Sequence, residues 1–128
     1  MFEVYTDGAS TGDPGRAGAG IVIRRDGKIE RFSIPLGEMD THAAEFTAVI
    51  KALELCKERG AQTISLRSDS QTVVAAIEKE YIHKPAYKPL LQTILTMADE
   101  FPLFFVKWIP SKQNKADQEA KNAVRANP

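Results

Sequence analysis

The sequence contains little cysteine and histidine and has no excess of either charge, with one cysteine, two histidines, 17 basic and 17 acidic residues. Cys56 cannot form an intramolecular disulfide, and its place in an apolar helical pattern predicts a buried thiol in a reducing compartment. The balanced charge excludes a disordered polyelectrolyte and a tail that binds nucleic acid by bulk charge. Neither a signal-peptide pattern nor a membrane-spanning apolar run is present, so we expect a cytoplasmic protein with no membrane partner.

The length and the hydrophobic content predict one folded domain. A chain of 128 residues that is 43% hydrophobic can bury one core but not two, so the expected domain spans residues 1–128. Periodicity and turn residues predict strands over 2–7, 17–25, 29–36, 63–68 and 103–109, and helices over 43–59, 70–79, 85–101 and 114–126. This order predicts an α/β fold with a mixed five-stranded sheet of three antiparallel strands and then two parallel ones.

Four carboxylates stand where surface acids are not expected. Asp7 and Asp69 end the first and fourth predicted strands, and ligand sites gather at the carboxyl ends of strands in partly parallel sheets. Glu45 falls on the apolar face of its helix, so we expect it to be protonated, paired with a cation or bound to a metal. Asp117 lies in the first turn of the last predicted helix. Structural alternatives are an Asx turn for Asp7, a helix cap for Asp69 and a cap with Asn114 for Asp117.

Convergence of these four acids at one sheet edge accounts for them together. Four carboxylates at one site need positive compensation. Oxygen ligands without a cysteine or histidine cluster favour hard cations, hence Mg²⁺ or Mn²⁺ rather than Zn²⁺. Two such ions roughly 3.5 to 4 Å apart are the usual arrangement for in-line attack on a phosphodiester.

Four sequence motifs, in order, resemble the type I ribonuclease H family. They are Tyr5-Thr6-Asp7-Gly8-Ala9-Ser10 with Gly12-Asp13-Pro14-Gly15, His42-Ala43-Ala44-Glu45-Phe46, Ser68-Asp69-Ser70-Gln71, and Trp108-Ile109-Pro110 with Asn114-Lys115-Ala116-Asp117. The resemblance spans nearly the whole chain. It implies a ribonuclease H-like fold with helices on both faces of the sheet. It also implies an endonuclease that hydrolyses the RNA strand of RNA/DNA hybrids to 3′-hydroxyl and 5′-phosphate ends.

The resemblance also implies a cofactor and roles for individual residues. Two Mg²⁺ ions, for which Mn²⁺ is an alternative, are expected. Asp7 would bridge both ions, Glu45 and Asp69 would hold one, and Asp117 would hold the other. Substrate contacts are assigned to Gly8, Ala9, Ser10, Asp13, Thr41, His42, Gln71, Lys112 and Asn114. We expect a monomer whose partner is an RNA/DNA hybrid.

The sequence departs from the family pattern at three places. Asp13 replaces an asparagine that contacts the hybrid in many members, which predicts weaker affinity. The loop from Pro110 to Lys115 lacks the histidine of many bacterial members. The segment over 78–88 is short and lacks a tryptophan-rich basic protrusion, as in a compact subtype. A noncatalytic hybrid or RNA binder and a nuclease of the same fold acting on DNA are the alternatives.

Two side chains near the C-terminus receive structural predictions. Trp108 alternates with Val106 along the last strand, which predicts a place in the core. From Lys107 onward five basic residues face two acidic ones, which predicts either a small surface for a phosphate backbone or an ordinary solvated helix face.

Overall fold

The sheet has the mixed topology that the sequence predicts. The computed structural model describes residues 1–127. Its elements are β1 (Phe2–Ser10), β2 (Gly15–Arg25), β3 (Lys28–Met39), α1 (Thr41–Glu58), β4 (Thr63–Ser68), α2 (Gln71–Lys79), α3 (Lys88–Ala98), β5 (Leu103–Trp108) and α4 (Asp117–Ala126), with 3-10 turns at Pro85–Tyr87 and Ser111–Gln113. The strand order is β3-β2-β1-β4-β5. The first three strands in this order are antiparallel, and β1, β4 and β5 are parallel.

Local sequence signals account for the turns that shape this sheet and its longest helix. Asp26 and Gly27 connect β2 to β3 with φ angles of 49° and 75°, the left-handed conformation that a two-residue hairpin turn requires. Asp40 caps α1 by accepting a hydrogen bond from the Ala43 amide at 2.8 Å. The chain leaves α1 through Gly60, which has a φ of 67°. These signals account for the antiparallel connection of β2 to β3 and for the ends of α1, which begins two residues before the predicted helix begins and ends one residue before the predicted helix ends.

The two faces of the sheet are covered to different extents. Helices α1, α2 and α3 bury the main core on one face, with Phe46, Leu53 and Ile94 among its fully buried side chains. On the other face α4 packs against β1, β2 and β3. A Cβ atom at Gly20 would collide with the backbone of α4, so this glycine lets the helix approach β2 closely. The same face of β4 and β5 carries exposed side chains such as Phe105 and remains open.

The structure corrects several predicted boundaries. Strand β1 does not end at Asp7, because β2 pairs with it as far as Ser10 opposite Ala17. Its parallel partner β4 leaves earlier, after Thr6 pairs with Ser68. Helix α3 is shorter than predicted, and α4 starts three residues after the predicted start because Asn114 is extended and a turn follows it. These limits depend on neighbouring strands and on turns that apolar periodicity does not specify.

Two side-chain predictions have opposite outcomes. Cys56 is buried, and burial raises the pKa of its thiol to about 12, as expected for an unreactive core cysteine. Trp108 is 42% exposed, so its predicted place in the core is wrong. It is the last residue of an edge strand, where the helices no longer cover it.

Within residues 1–127, no helix combines the length and apolar character needed to cross a membrane.

Candidate active site

Three carboxylates meet where the parallel strands β1 and β4 separate. The last parallel pair joins Thr6 to Ser68, and Asp7 and Asp69 follow these two residues directly. One oxygen from each of Asp7, Asp69 and Glu45 lies within 4.8 Å of the other two. The structure therefore brings together two strand acids and the acid on the apolar face of α1.

Close packing of α1 on β1 places Glu45 in this group. A Cβ atom at Gly8 would collide with the backbone of Ala44 and Glu45, so the glycine allows the helix to lie against the strand. The Gly8 amide donates a hydrogen bond of 2.6 Å to Oε1 of Glu45. Because β4 has already left β1 at this point, the carboxylate satisfies a strand amide that would otherwise lack a partner.

The fourth predicted acid approaches Asp7 from the opposite face of the sheet. Asp117 begins α4 close enough to Asp7 for its negative charge to help raise the pKa of Asp7, although its oxygens are not part of the three-acid group. Its Oδ2 atom is 3.0 Å from Nζ of Lys121, one helical turn later. All four predicted acids thus lie at one edge of the sheet, with Asp117 the more exposed partner.

Asn114 fixes the start of α4 relative to β1. Its Nδ2 atom donates to the Thr6 carbonyl at 2.9 Å, and its Oδ1 atom accepts from the Ala116 amide at 3.0 Å. The side chain is buried. The predicted side-chain cap is therefore not formed, since Ala116 is the N-cap residue; instead the Asn114 amide joins the segment before α4 to Thr6, the residue before Asp7. Both ends of its side-chain amide are thus bonded inside the protein, where Asn114 positions the start of α4.

The structure excludes the capping explanation for Asp69. Ser70 caps α2 instead, since its hydroxyl accepts from the Val73 amide at 3.2 Å. The Asp69 carbonyl accepts a hydrogen bond of 3.1 Å from Nε1 of Trp108. The sequence analysis does not predict this role of Trp108. The only sequence feature that points to it is the polar indole N–H, which usually has a hydrogen-bond partner.

Burial and mutual repulsion favour the protonated forms of the two innermost acids. Burial, together with the negative charge of Asp69, raises the pKa of Asp7 to about 7. Burial, together with the charge of Asp7, raises the pKa of Glu45 to about 9. Among residues 1–127, no lysine, arginine or histidine nitrogen lies within 4.0 Å of a carboxylate oxygen of Asp7, Glu45 or Asp69. Of the three states expected for Glu45, pairing with a protein cation is thus excluded within this part of the chain.

These donors fit a hard divalent cation. The group consists of carboxylate oxygens, without cysteine or histidine, and its two buried members, Asp7 and Glu45, have no compensating protein cation among residues 1–127. A bound divalent ion would supply the missing positive charge and would stabilise the ionised forms that burial disfavours. Asp7, Glu45 and Asp69 are therefore the residues that could hold a metal ion here.

The residues assigned to substrate binding lie on four segments that adjoin the acids. They are Gly8, Ala9, Ser10 and Asp13 on β1 and the following turn, Thr41 and His42 at the start of α1, Gln71 at the start of α2, and Lys112 and Asn114 before α4. Gly8 and Asn114 are buried in structural contacts, and Ala9 and Ser10 are half-buried. The other five are exposed beside the site, where a large ligand can reach them.

Comparisons with known proteins agree with this architecture. The family described as "Reverse transcriptase-like" matches residues 5–123. EbsB of Enterococcus faecalis, whose name assigns it provisionally to the hydrolases, is 39% identical over 98% of this chain and 95% of its own. A ribonuclease H of Desulforamulus reducens is 31% identical over 91% of this chain and 79% of its own.

A solved structure supports the same assignment. LC11-RNase H1, an enzyme isolated from compost, was solved in complex with an RNA/DNA hybrid. It matches this chain with a TM-score of 0.90 and 29% identity over 98% of both chains. Between α2, which ends at Lys79, and α3, which begins at Lys88, there is no room for an inserted protrusion. The chain therefore belongs to the ribonuclease H family and is one of its compact members.

Proposed function

We propose that this protein is an endonuclease that hydrolyses the RNA strand of RNA/DNA hybrids to 3′-hydroxyl and 5′-phosphate ends. The observation that carries the proposal is the group of three acids, Asp7, Glu45 and Asp69, at the end of the parallel strands, without a protein cation to neutralise it among residues 1–127. Phosphodiester hydrolysis with divalent ions uses such a donor set. The match to an enzyme solved with an RNA/DNA hybrid supports the choice of substrate.

Two divalent cations, most simply Mg²⁺, complete the proposed site. Asp7 is central, because it adjoins Glu45 and Asp69 on one side and Asp117 on the other. We assign one ion to Asp7, Glu45 and Asp69, and the other to Asp7 and Asp117. Such ions, when bound, stabilise the negative charge on the attacking and leaving oxygens of the phosphodiester.

The protein's own residues hold these acids in place and bind the substrate around them. The Gly8 amide fixes the orientation of Glu45, Asn114 fixes the start of Asp117's helix, and Trp108 holds the backbone at Asp69. The exposed residues that we assign to contacts with the hybrid are Asp13, Thr41, His42, Gln71 and Lys112. The carboxylate of Asp13 is expected to repel a nearby phosphate, which lowers the affinity for the hybrid.

All the proposed ligands and contacts come from one chain. A second copy is therefore not needed to complete the site, and we propose that the protein acts as a monomer. We further propose a cytoplasmic location, in keeping with its single, buried cysteine.

A cleavage assay with four end-labelled substrates tests the proposed function. Purified protein is incubated with RNA/DNA hybrid, DNA duplex, double-stranded RNA or single-stranded RNA, with Mg²⁺, Mn²⁺ or EDTA. We expect cleavage of the RNA strand in the hybrid alone, only with metal, and products that carry 3′-hydroxyl and 5′-phosphate ends. Preferred cleavage of DNA would favour the related DNA nuclease. Hybrid binding without cleavage under any metal condition would favour a noncatalytic binder.

Trp108→Phe is expected to lower kcat for hybrid cleavage roughly three- to tenfold. The change keeps an aromatic ring but removes the N–H that holds the Asp69 carbonyl, a hydrogen bond worth about 1 kcal/mol. The KM and the urea midpoint should change little, because the side chain is partly exposed. Phe105→Leu is the control, since it alters an exposed aromatic residue of the same strand that lacks this contact. Equal kcat values for the two variants would show that Trp108 does not position Asp69.

A further inference from the structure

The open face of β4 and β5 contains a cavity beside the proposed active site, with which it shares Lys112 and Asn114. The cavity has a volume of about 440 Å³, and Tyr5 and Ile109 form part of its wall. Four basic side chains also line it: Arg67, Lys107, Lys112 and Lys115. Arg67 is the cross-strand neighbour of Tyr5, and Lys107 is the next neighbour of Arg67 on β5, on the face that α4 leaves uncovered. We name this cavity the basic pocket.

The charge of the basic pocket is unusual for this protein. The whole chain has a formal charge of zero, yet no acidic residue lines this cavity. Arg67 is partly neutralised by Glu3 at 2.8 Å. Within the part of the chain that the structure describes, no acidic oxygen lies within 4.0 Å of Nζ of Lys107, Lys112 or Lys115. Clustered cations without acids repel one another, and a bound anion would relieve this repulsion.

Tyr5 holds two of these cations near the wall of the cavity. The Arg67 guanidinium carbon is 5.4 Å from the centre of the Tyr5 ring, and Nζ of Lys115 is 5.9 Å from it. Nη1 of Arg67 also donates to the Tyr5 hydroxyl at 2.9 Å. Nε of Arg67 is buried and has no hydrogen-bond partner among residues 1–127. Arg67 is thus held by its neighbours and retains one unsatisfied donor.

The basic pocket lies beside the carboxylates. Tyr5 and Asp7 are two residues apart on β1, so their side chains share one face and are separated by about 7 Å along the strand. Asn114 lines the pocket and also donates to the carbonyl between these two residues. A polyanion that reaches the carboxylates along this face therefore meets the cations next.

We propose that the basic pocket binds a phosphate group, and that this group is a backbone phosphate of the nucleic acid whose cleavage site lies at the carboxylates. The claim that the phosphate belongs to a nucleic acid rests on the proposed function. The claim that the pocket binds a phosphate rests only on the pocket's own residues. The arrangement suits this ligand because lysine and arginine contacts to phosphates supply most of the sequence-independent affinity of nucleic-acid binding. A free phosphate, such as inorganic phosphate, has the same chemistry and is the other source to test.

The first experiment compares hybrid binding by two double variants with equal charge changes. Fluorescence anisotropy in EDTA measures the affinity of wild type, Lys107→Gln/Lys115→Gln and Lys28→Gln/Lys57→Gln for a labelled RNA/DNA hybrid at several salt concentrations. All four lysines are exposed, and the control pair lies at the start of β3 and near the end of α1. We expect the pocket variant to bind about tenfold more weakly at low salt, with a slope of log K against log salt that is shallower by about 2. The control should match wild type.

The second experiment titrates inorganic phosphate into the wild-type protein and follows backbone amide resonances by NMR. Saturable shifts at Arg67, Lys107 and Lys115 that disappear in the pocket variant would support a phosphate site. If these shifts occur but both variants bind the hybrid equally, the pocket takes a free phosphate and the nucleic-acid source is wrong. If neither phosphate nor hybrid binding distinguishes the variants, the proposal is overturned.

The two experiments separate this inference from the proposed function. If both double variants cleave the hybrid at the wild-type rate and inorganic phosphate shifts no pocket resonance, the phosphate site is refuted and the proposed nuclease activity is not. A protein that neither binds nor cleaves the hybrid, yet shows the phosphate shifts, would refute the proposed function and leave a phosphate pocket.

Discussion

Asp7→Asn is expected to reduce cleavage of an RNA/DNA hybrid at least about a thousandfold and to leave the fold intact. Asp7 is the acid that interacts with each of the other three, through the close group with Glu45 and Asp69 and through the charge of Asp117, which helps raise its pKa. Asparagine has nearly the same shape but removes the charge that a divalent ion requires. A thousandfold loss corresponds to about 4 kcal/mol of transition-state stabilisation, which is within the range for a central electrostatic group.

Single-turnover cleavage with saturating enzyme and Mg²⁺ measures this loss without interference from product release. Asp99→Asn is the matched control, because Asp99 is exposed at the end of α3 and far in sequence from all four acids. Urea unfolding in EDTA should show that Asp7→Asn is at least as stable as wild type, since it removes a buried acid. A folded Asp7→Asn protein that retains a tenth of the wild-type rate would contradict the central role of Asp7.

The sequence predicts much of this fold because local chemistry determines its turns and caps. The Asp26-Gly27 pair defines the hairpin, and Asp40 and Gly60 delimit α1. Strand ends indicate Asp7 and Asp69, an apolar helix face indicates Glu45, and the first turn of the last predicted helix holds Asp117. Their meeting point followed from the parallel topology, in which the carboxyl ends of β1 and β4 lie at one edge.

The remaining features depend on contacts between distant segments. β1 continues past Asp7 because β2 pairs with it, which the alternation of β1 alone does not reveal. Trp108 is exposed because it ends an edge strand, where the helices that cover Phe104 and Val106 no longer cover it. The basic pocket combines Tyr5, Arg67 and Lys115 from three segments far apart in sequence. No periodic pattern places these residues together.

The site also has a cost for folding that the metal would offset. Asp7 and Glu45 are buried next to each other, and each keeps a proton in the folded metal-free protein at a pH at which it would lose that proton in the unfolded chain. Ionising them in place is unfavourable, but ionised carboxylates are what a divalent ion binds. The arrangement therefore lowers the stability of the metal-free protein and raises its affinity for the ion.

Glu45→Gln is expected to raise the free energy of unfolding of the metal-free protein at pH 8 by about 2 kcal/mol or more. The same change is expected to abolish efficient cleavage. The pKa of Glu45 is raised from an ordinary value of 4.5 to about 9. Between these values the folded state binds more protons than the unfolded state, so stability falls as the pH rises, by roughly 1 kcal/mol per unit. Asp7 acts in the same direction up to about pH 7. Glutamine stays neutral, and its Oε1 can still accept the Gly8 hydrogen bond.

Urea unfolding of wild type, Glu45→Gln and Glu54→Gln at pH 5, 7 and 9 tests this expectation. Glu54 is exposed on the same helix, so its variant should follow wild type at every pH. In EDTA the advantage of Glu45→Gln should be small at pH 5, where wild-type Glu45 is protonated, and should grow toward pH 9. Excess Mg²⁺ should stabilise wild type more than Glu45→Gln, because only the ionised carboxylate attracts the ion. If Glu45→Gln were instead the less stable protein at pH 9 in EDTA, an ionised Glu45 would have to be stabilised by the protein itself, and the need for a metal at this site would disappear.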